Sequence, residues 1–326
     1  MIDDRGGGGH ARPLLRRSAH GRGDADEAPS ESVLALPERI DIGLTLAPLR
    51  HGPGDPTVRF RPGEYWRATR TTRGPATLRL RPRGDRVAIS AWGPGAEAAV
   101  EGVPHLLGID DDPSALELPA GPLRDLARRF AGVRLARTGA VMESLIPAVI
   151  EQKVVGMDAQ RSYRALVLRH GDRAPGPGGL WLAPRPEVLA AIPYHALHPL
   201  GLEQRRATVL ARVARHAAWL EAAATLAPRD ALGRFQTIPG VGPWTAAETA
   251  RIALGDPDAV SVGDYHIPSL VAWVLAGEPR GDDTRMVELL EPYRGQRARL
   301  VRLLELSGWR PPKRGPRMPL RSIASI

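Results

Sequence analysis

The chain is expected to be an α+β protein, with a small antiparallel sheet followed by a long helical region. Three observations carry that expectation. Between residues 57 and 92, short segments alternate apolar and charged positions and are broken by glycine and proline. Beyond Pro113 the apolar spacing becomes that of helices. One stretch, Phe235 to Pro268 (FQTIPGVGPWTAAETARIALGDPDAVSVGDYHIP), reads as helix, glycine hairpin, helix, polar loop, helix.

A chain of 326 residues, 43% hydrophobic, can bury two or three cores. It has no cysteine, which excludes disulfides, thiol catalysis and cysteine-ligated clusters. No apolar run is long enough to span a membrane and the N-terminus lacks a signal peptide's apolar core, so a cytoplasmic monomer with no membrane partner is expected. The net charge of +9 and pI near 10.7 suit an anionic polymer. Lysine appears only as Lys153 and Lys313, and the arginine excess accompanies heavy Ala, Gly and Pro usage. Compositional bias would produce the same charge, so charge alone leaves both readings open.

In chain order, residues 1–32 are Gly-, Arg- and Asp-rich and are expected to be a disordered tail. Residues 33–112 form the first domain. Its strands are expected at Thr57–Phe60, Tyr65–Thr71, Ala76–Arg81 and Arg86–Trp92, separated by Pro62-Gly63, Arg73-Gly74-Pro75 and Pro82-Arg83-Gly84-Asp85. Leu78 and Leu80 alternate with Arg79 and Arg81, which predicts one dry face and one wet face. A helix over Ala96–Leu107 is placed to cover the dry face. The arginine-bearing face reads as support for the rest of the chain, with DNA contact as the second reading. Residues 113–309 form the helical domain. Helices are expected at Pro122–Ala131, Ala140–Val154, Ala159–His170, Pro186–Ala191, Glu203–Ala222, Pro228–Thr237, Thr245–Leu254, Pro268–Ala276, Asp283–Leu290 and Gln296–Ser307. Within the second of these, Leu145, Val149 and Gln152 share a face. Residues 310–326 contain RPPKRGPRMPLR, a basic, proline-rich tail that is either solvated or a phosphate-contacting arm.

Ile238-Pro239-Gly240-Val241-Gly242 is too rich in glycine and proline for a helix interior. The helix over Ala231–Thr237 runs into it and that over Thr245–Leu254 leaves it, so the motif spans 231–254. The backbone N–H groups of Gly240, Gly242 and Thr245 then point outward at a helix start, which suits a phosphate. Asp264 precedes an apolar helix. It reads as an N-cap, as a catalytic carboxylate, or as both, since capping would hold the carboxylate in place.

This combination resembles the helix-hairpin-helix DNA glycosylases, most closely their 3-methyladenine DNA glycosylase II branch. The residues that carry the resemblance are the hairpin, Trp244 and Thr245 just after it, and Asp264-Tyr265. The family implies a small first domain related in fold to the TATA-binding protein, matched here by GEYWRATRT, RGPATLRLRPRGDRVAISAWGPGAE and PHLLGIDDDP. It also implies double-stranded DNA containing damaged bases as the partner. Asp264 takes the catalytic position, and Trp244 and Tyr293 take positions where aromatic rings meet the flipped base. A tyrosine expected one turn after Trp244 is replaced by Glu248, which would face the base, point to solvent, or pair with Arg251. The main-chain carbonyls of Gln236, Ile238 and Val241 fall where the family binds a monovalent cation, Na+ or K+. Catalysis is expected to need no cofactor. An apolar helix ends at Gln152, and the family places a duplex-entering wedge just after it, here Lys153 rather than leucine. Trp244 stands where lyase-active relatives carry a Schiff-base lysine, which implies a monofunctional enzyme. The absence of cysteine sets the chain apart from the iron–sulfur endonuclease III branch. The expected function is removal of alkylated purines such as 3-methyladenine and 7-methylguanine in base excision repair. The alternatives are a related glycosylase for oxidised or deaminated bases and a non-catalytic lesion-binding protein.

Overall fold

The structure is a computed structural model and describes residues 16–18 and 28–312. Six strands, β1 (Arg16–Ser18), β2 (Ser30–Ala35), β3 (Val58–Arg61), β4 (Glu64–Thr71), β5 (Gly74–Arg83) and β6 (Arg86–Trp92), form one antiparallel sheet in the order β1-β2-β6-β5-β4-β3. The last three are the longest and alternate most cleanly, which is why they are legible from sequence. β2 is not. It has one strongly apolar buried position, Leu34, and is held by pairing along β6 from Ser30↔Ala91 to Ala35↔Arg86. The sheet domain therefore starts before residue 33. The disorder expected over 1–32 does not hold at Arg16–Ser18 or Ser30–Ser32. The rest of that tail up to residue 27, and the basic tail from residue 313, lie outside the described residues.

α1 (Ile42–Leu46), α2 (Ala96–Glu101) and α3 (Val103–Leu106) cover one face of the sheet, burying Leu78, Leu80, Val87 and Ile89 against Val100 and Val103. The single helix expected over Ala96–Leu107 breaks at Gly102, followed by Pro104. The other face is not wet. Trp66 and Trp92 stack there at 5.4 Å and pack with Leu180 and Leu182 from farther along the chain. The Arg79 guanidinium lies 5.2 Å and 5.3 Å from those two rings.

α4 (Pro122–Arg129), α5 (Val141–Ile150) and α6 (Gly156–His170) come next, followed by a small hairpin, β7 (Asp172–Arg173) and β8 (Trp181–Leu182). Then come α7 (Pro186–Ala191), α8 (Tyr194–Leu197), α9 (Gln204–Arg215), α10 (Ala217–Glu221) and α11 (Pro228–Gln236). The chain closes with α12 (Pro243–Ala253), α13 (Ile267–Ala276), α14 (Asp283–Leu290) and α15 (Arg297–Ser307). No helix among the described residues is long and apolar enough to cross a membrane. The helix expected over Glu203–Ala222 divides at His216. That division lets Glu221 accept the Val141 and Met142 N–H groups at 2.9 Å and 2.8 Å, capping α5 from outside.

The helices form two cores. One centres on α5, almost entirely buried, with α6, α9, α11 and α12 around it. The other joins α4 to α13, α14 and α15 around Met286, Leu290 and Leu300. A strap, residues 255–266, crosses from the first core to the second. The sheet is fastened to the first core by Glu143, whose carboxylate accepts from Arg67 Nη2 (2.7 Å), Thr69 Oγ1 (3.0 Å) and the Arg70 N–H (2.7 Å). Arg67 and Arg70 of β4 are therefore tied to the helical region.

Glu143→Ala should strand the buried Arg67 guanidinium and lower unfolding stability by about 3 kcal/mol. Chemical denaturation followed by circular dichroism measures it, and a loss within experimental error would show that the junction does not depend on this carboxylate.

Candidate active site

The hairpin is placed by its apolar residues. Ile238 and Val241 are buried in the first core, while Pro239 and Gly240 face outward. Gly240 has φ of +100°, and a Cβ there would lie 2.3 Å from Val209 Cγ2, so both conformation and space require glycine. Gly242 precedes α12 in extended conformation with open space where a Cβ would point. Pro243 at the first helical position costs no hydrogen bond, because that N–H has no partner in a helix. α12 thus opens directly behind the hairpin, where the first N–H groups of a helix have no partner within it. Arg212 adds a positive charge, with its Nη1 donating to the Pro239 carbonyl at 3.1 Å. Nothing in the sequence singles out Arg212.

Gln152 behaves differently from its expectation as a wedge candidate. Its Nε2 donates to the Gly240 carbonyl at 2.9 Å and to Thr245 Oγ1 at 2.8 Å. Both amide protons are committed to bridging the hairpin to α12, so Gln152 holds the hairpin in shape and is not free to enter a duplex. Thr245 is buried, and its hydroxyl serves that bridge. Only its backbone N–H remains for an anion. The next residue, Lys153, is exposed and has φ of +55°, the one non-glycine with positive φ among the described residues. A left-handed lysine in the short turn between α5 and α6 is a strained position, of the kind that clusters at functional sites.

Asp264 and Trp244 meet. Asp264 Oδ1 accepts the His266 and Ile267 N–H groups at 2.7 Å and 2.9 Å, and Oδ2 accepts Trp244 Nε1 at 3.1 Å. The half-buried carboxylate caps the chain entering α13 while its second oxygen is held by the indole. Tyr265, next to it, is 80% exposed, an unusual position for a large ring, and stands edge-on to His266.

Glu248 lies one turn after Trp244 and faces the same strap. Its Oε2 pairs with Arg251 and its Oε1 accepts Ser261 Oγ, each at 2.5 Å. Neither oxygen is left for a base, so Glu248 is an internal clamp rather than a lining residue of the base pocket. Burial pulls the Arg251 pKa down, but Glu248 and Glu305 outweigh it and raise it, so the guanidinium stays charged. Tyr293 sits in the 3-10 turn Glu291–Tyr293 at the edge of the second helical core. Among the described residues no direct ring contact joins it to Trp244.

The strap is fixed at further points. Gly263 N donates to Asp283 Oδ1 at 2.9 Å. Asp258 accepts the Gly295 N–H at 2.7 Å and the backbone and guanidinium of Arg297. Burial pushes the Asp258 carboxyl up, but Arg297 outweighs it and holds the group below the ordinary aspartate range. Ser261 and Asp258 carry no sequence signal of these roles, because their partners are distant in the chain.

No family model matches the chain. A Mycobacterium tuberculosis protein described as a probable bifunctional transcriptional activator/DNA repair enzyme AlkA is 32% identical over 166 residues, 49% of this chain and 33% of that one. DNA-3-methyladenine glycosylase 2 of Escherichia coli is 30% identical over 196 residues, 59% of this chain and 66% of the relative. The chain thus spans about a third of the mycobacterial relative's length. Among solved structures, a 3-methyladenine DNA glycosylase from Archaeoglobus fulgidus matches with a TM-score of 0.71 at 21% identity, covering 84% of this chain and 97% of that one. An 8-oxoguanine glycosylase/lyase from Clostridium acetobutylicum matches with a TM-score of 0.67 at 13% identity, covering 90% and 98%. These two likenesses concern the α+β fold.

The Asp258 anchor has a pH signature. Its folded pKa lies below the unfolded value of about 3.9, so its stabilisation is present above that value and is lost as pH falls through the folded one. Wild type should be more stable than Asp258→Asn at pH 7, and the two should converge below about pH 4. Thermal melts across pH test this; equal melting at pH 7 would show that the anchor contributes nothing.

Proposed function

The chain belongs to the helix-hairpin-helix DNA glycosylase superfamily, in its 3-methyladenine DNA glycosylase II branch, and we propose that it is a monofunctional DNA glycosylase for alkylated purines. The observation that carries the proposal is the Asp264–Trp244 pair: a carboxylate on three N–H donors, one of them the indole, beside a hairpin built for phosphate. Breaking an N-glycosidic bond develops positive charge on the sugar. A carboxylate that does not move during the reaction stabilises that charge without reorganisation. Asp264 Oδ2 is the oxygen placed for this role, and it can also orient the attacking water.

A base inside a duplex is out of reach, so the nucleotide must be flipped out while the backbone is held. The N–H groups at Gly240, Gly242 and Thr245 are the phosphate anchor, with Gln152 keeping their geometry. A monovalent cation fits the carbonyls of Gln236, Ile238 and Val241. Gln236 ends α11 where the ladder stops, and the Ile238 carbonyl accepts only the Val241 N–H at 2.9 Å, so neutral oxygen donors remain for a hard ion. Such an ion would complement the phosphate charge. Trp244 presents its face to the flipped base. Methylated purines such as 3-methyladenine and 7-methylguanine are cationic, and an indole face attracts a cation by about 0.5–2 kcal/mol. They also leave readily, so no proton donor is needed on the base. With Glu248 clamped to Arg251 and Ser261, selection rests on ring stacking and on the charge of the base.

Asp264→Asn keeps an oxygen for the cap and removes the charge. Base release from methylated DNA, measured by chromatography under single-turnover conditions, should fall by at least about 100-fold with DNA affinity within a few-fold. Wild-type release by this variant would remove Asp264 from the mechanism.

Lys153 is assigned the wedge that fills the gap. Its aliphatic stem takes stacking space while the ammonium reaches a phosphate. Lys153→Ala should slow excision from duplex DNA much more than from single strands, where flipping costs less. Equal losses on both substrates would return Lys153 to a surface charge.

A further inference from the structure

Away from the hairpin, the loop 50–56, β3, α6 and the β7–β8 hairpin enclose a groove of about 450 Å³. Four exposed arginines line it: Arg50, Arg59, Arg61 and Arg164. Among the described residues none of the four forms an ion pair, although Arg67, Arg251, Arg285, Arg297 and Arg299 elsewhere all do. The single acidic lining residue is Asp55, which is buried with both oxygens spent on His51 N, Thr57 N and Thr57 Oγ1. The positive charge of this groove therefore has no acidic partner among the described residues.

Two of the guanidinium groups are fixed without being neutralised. Arg50 donates to the carbonyls of Gly52 and Pro53, both at 3.0 Å, and Arg59 donates to the Gly178 carbonyl at 2.6 Å. Neutral acceptors orient the planar forks and leave other N–H groups for an oxyanion. Trp181 also lines the groove, and its ring carries the Arg173 guanidinium 4.3 Å from its centre.

The groove is linked to the hairpin by α6. Gln160, Arg164 and Leu168 form a stripe at four-residue spacing on this helix. The loop packs closely against the stripe: a Cβ on Gly52 would lie 2.5 Å from Gln160, and one on Gly54 would lie 3.1 Å from Arg164. α6 begins just after the Lys153 turn, which Gln152 ties to the hairpin. Arg164 lies eight residues into it, about 12 Å along its axis. A duplex turn is about 34 Å long, so a duplex seated on the hairpin extends well past that distance.

We infer that this groove is a second DNA-backbone site, which holds phosphates of the duplex flanking the lesion, separate from the hairpin. The inference rests on the reading of the protein as DNA-binding. A row of separate, oriented, unpaired guanidinium groups suits a polymer that repeats its negative charge at close intervals.

The test uses Arg61→Ala/Arg164→Ala, because neither side chain is hydrogen-bonded to a described residue; an unchanged melting temperature verifies the fold. Affinity for an undamaged duplex of about 30 base pairs, three turns, is measured across salt concentrations. The slope of log affinity against log salt should shrink by about 1–2, at about 0.9 per lost phosphate contact, with affinity falling about tenfold at low salt. Release of methylated bases at saturating enzyme should match wild type. Arg61→Lys/Arg164→Lys should restore the slope, since the charge returns. An unchanged slope, a slope that the lysine variant does not restore, or a wild type that does not bind the duplex would overturn the inference. If the slope changes as expected but wild type releases no methylated base, the groove stands and the glycosylase reading falls.

Discussion

A loop cannot place a carboxylate by hydrophobic contact, and the candidate chemistry of this protein depends on one carboxylate on a loop. The constraint that solves this is the ladder between α12 and the strap. Trp244 and Glu248 are four residues apart on one helix face, and Ser261 and Asp264 are three apart on the strap. The two rungs, Trp244 to Asp264 and Glu248 to Ser261, fix the strap along the helix. Asp258 and Asp283 anchor it to the second helical core from the other side. Each rung uses a directional hydrogen bond where packing could not define a position. The hairpin enters the same helix, so one element sets the distance between hairpin and carboxylate.

α12 is rigid because α5 lies behind it, and α5 is held at its ends by polar groups that cap it from other elements. Glu221 satisfies its first N–H groups, and buried Arg206 donates to the Ile150 carbonyl at 2.7 Å near its end. Burial lowers the Arg206 pKa and Glu203 opposes it, the cost of placing a guanidinium where it can satisfy carbonyls. Glu143 then joins this core to the sheet. The sheet domain thus acts on the site at a distance, by holding the first turn of α5 in place.

Arginine takes two physical roles in this chain. Inside, it is a connector: Arg67 to Glu143, Arg299 to Asp111 and Arg297 to Asp258 each tie distant segments together through mostly buried pairs. Outside, at Arg50, Arg59, Arg61 and Arg164, it carries charge with no acidic partner among the described residues. The net charge alone does not distinguish these, because a connector and a free cation count alike in composition.

The fold class, the long strands, most helix positions and the hairpin are legible in the sequence, as is the reason to look at Trp244 and Asp264. These are local signals: periodicity of two or 3.6, glycines where the backbone demands them, and an aspartate three residues before an apolar helix. Which partners those residues have is settled by the fold. It made Gln152 a hairpin tie, turned Glu248 inward to Arg251 and Ser261, left Tyr293 without ring contact to Trp244, and covered the sheet face that alternation marks as wet. Apart from the Glu248–Arg251 pair, three residues apart on one helix, these outcomes depend on partners 13 or more residues away or on packing between cores. β2 shows the same limit from the other side, since its strand exists through hydrogen bonds to β6 and has little apolar pattern of its own. Sequence spacing reports what one element offers; what meets it is set when the cores close and buried polar groups must find partners.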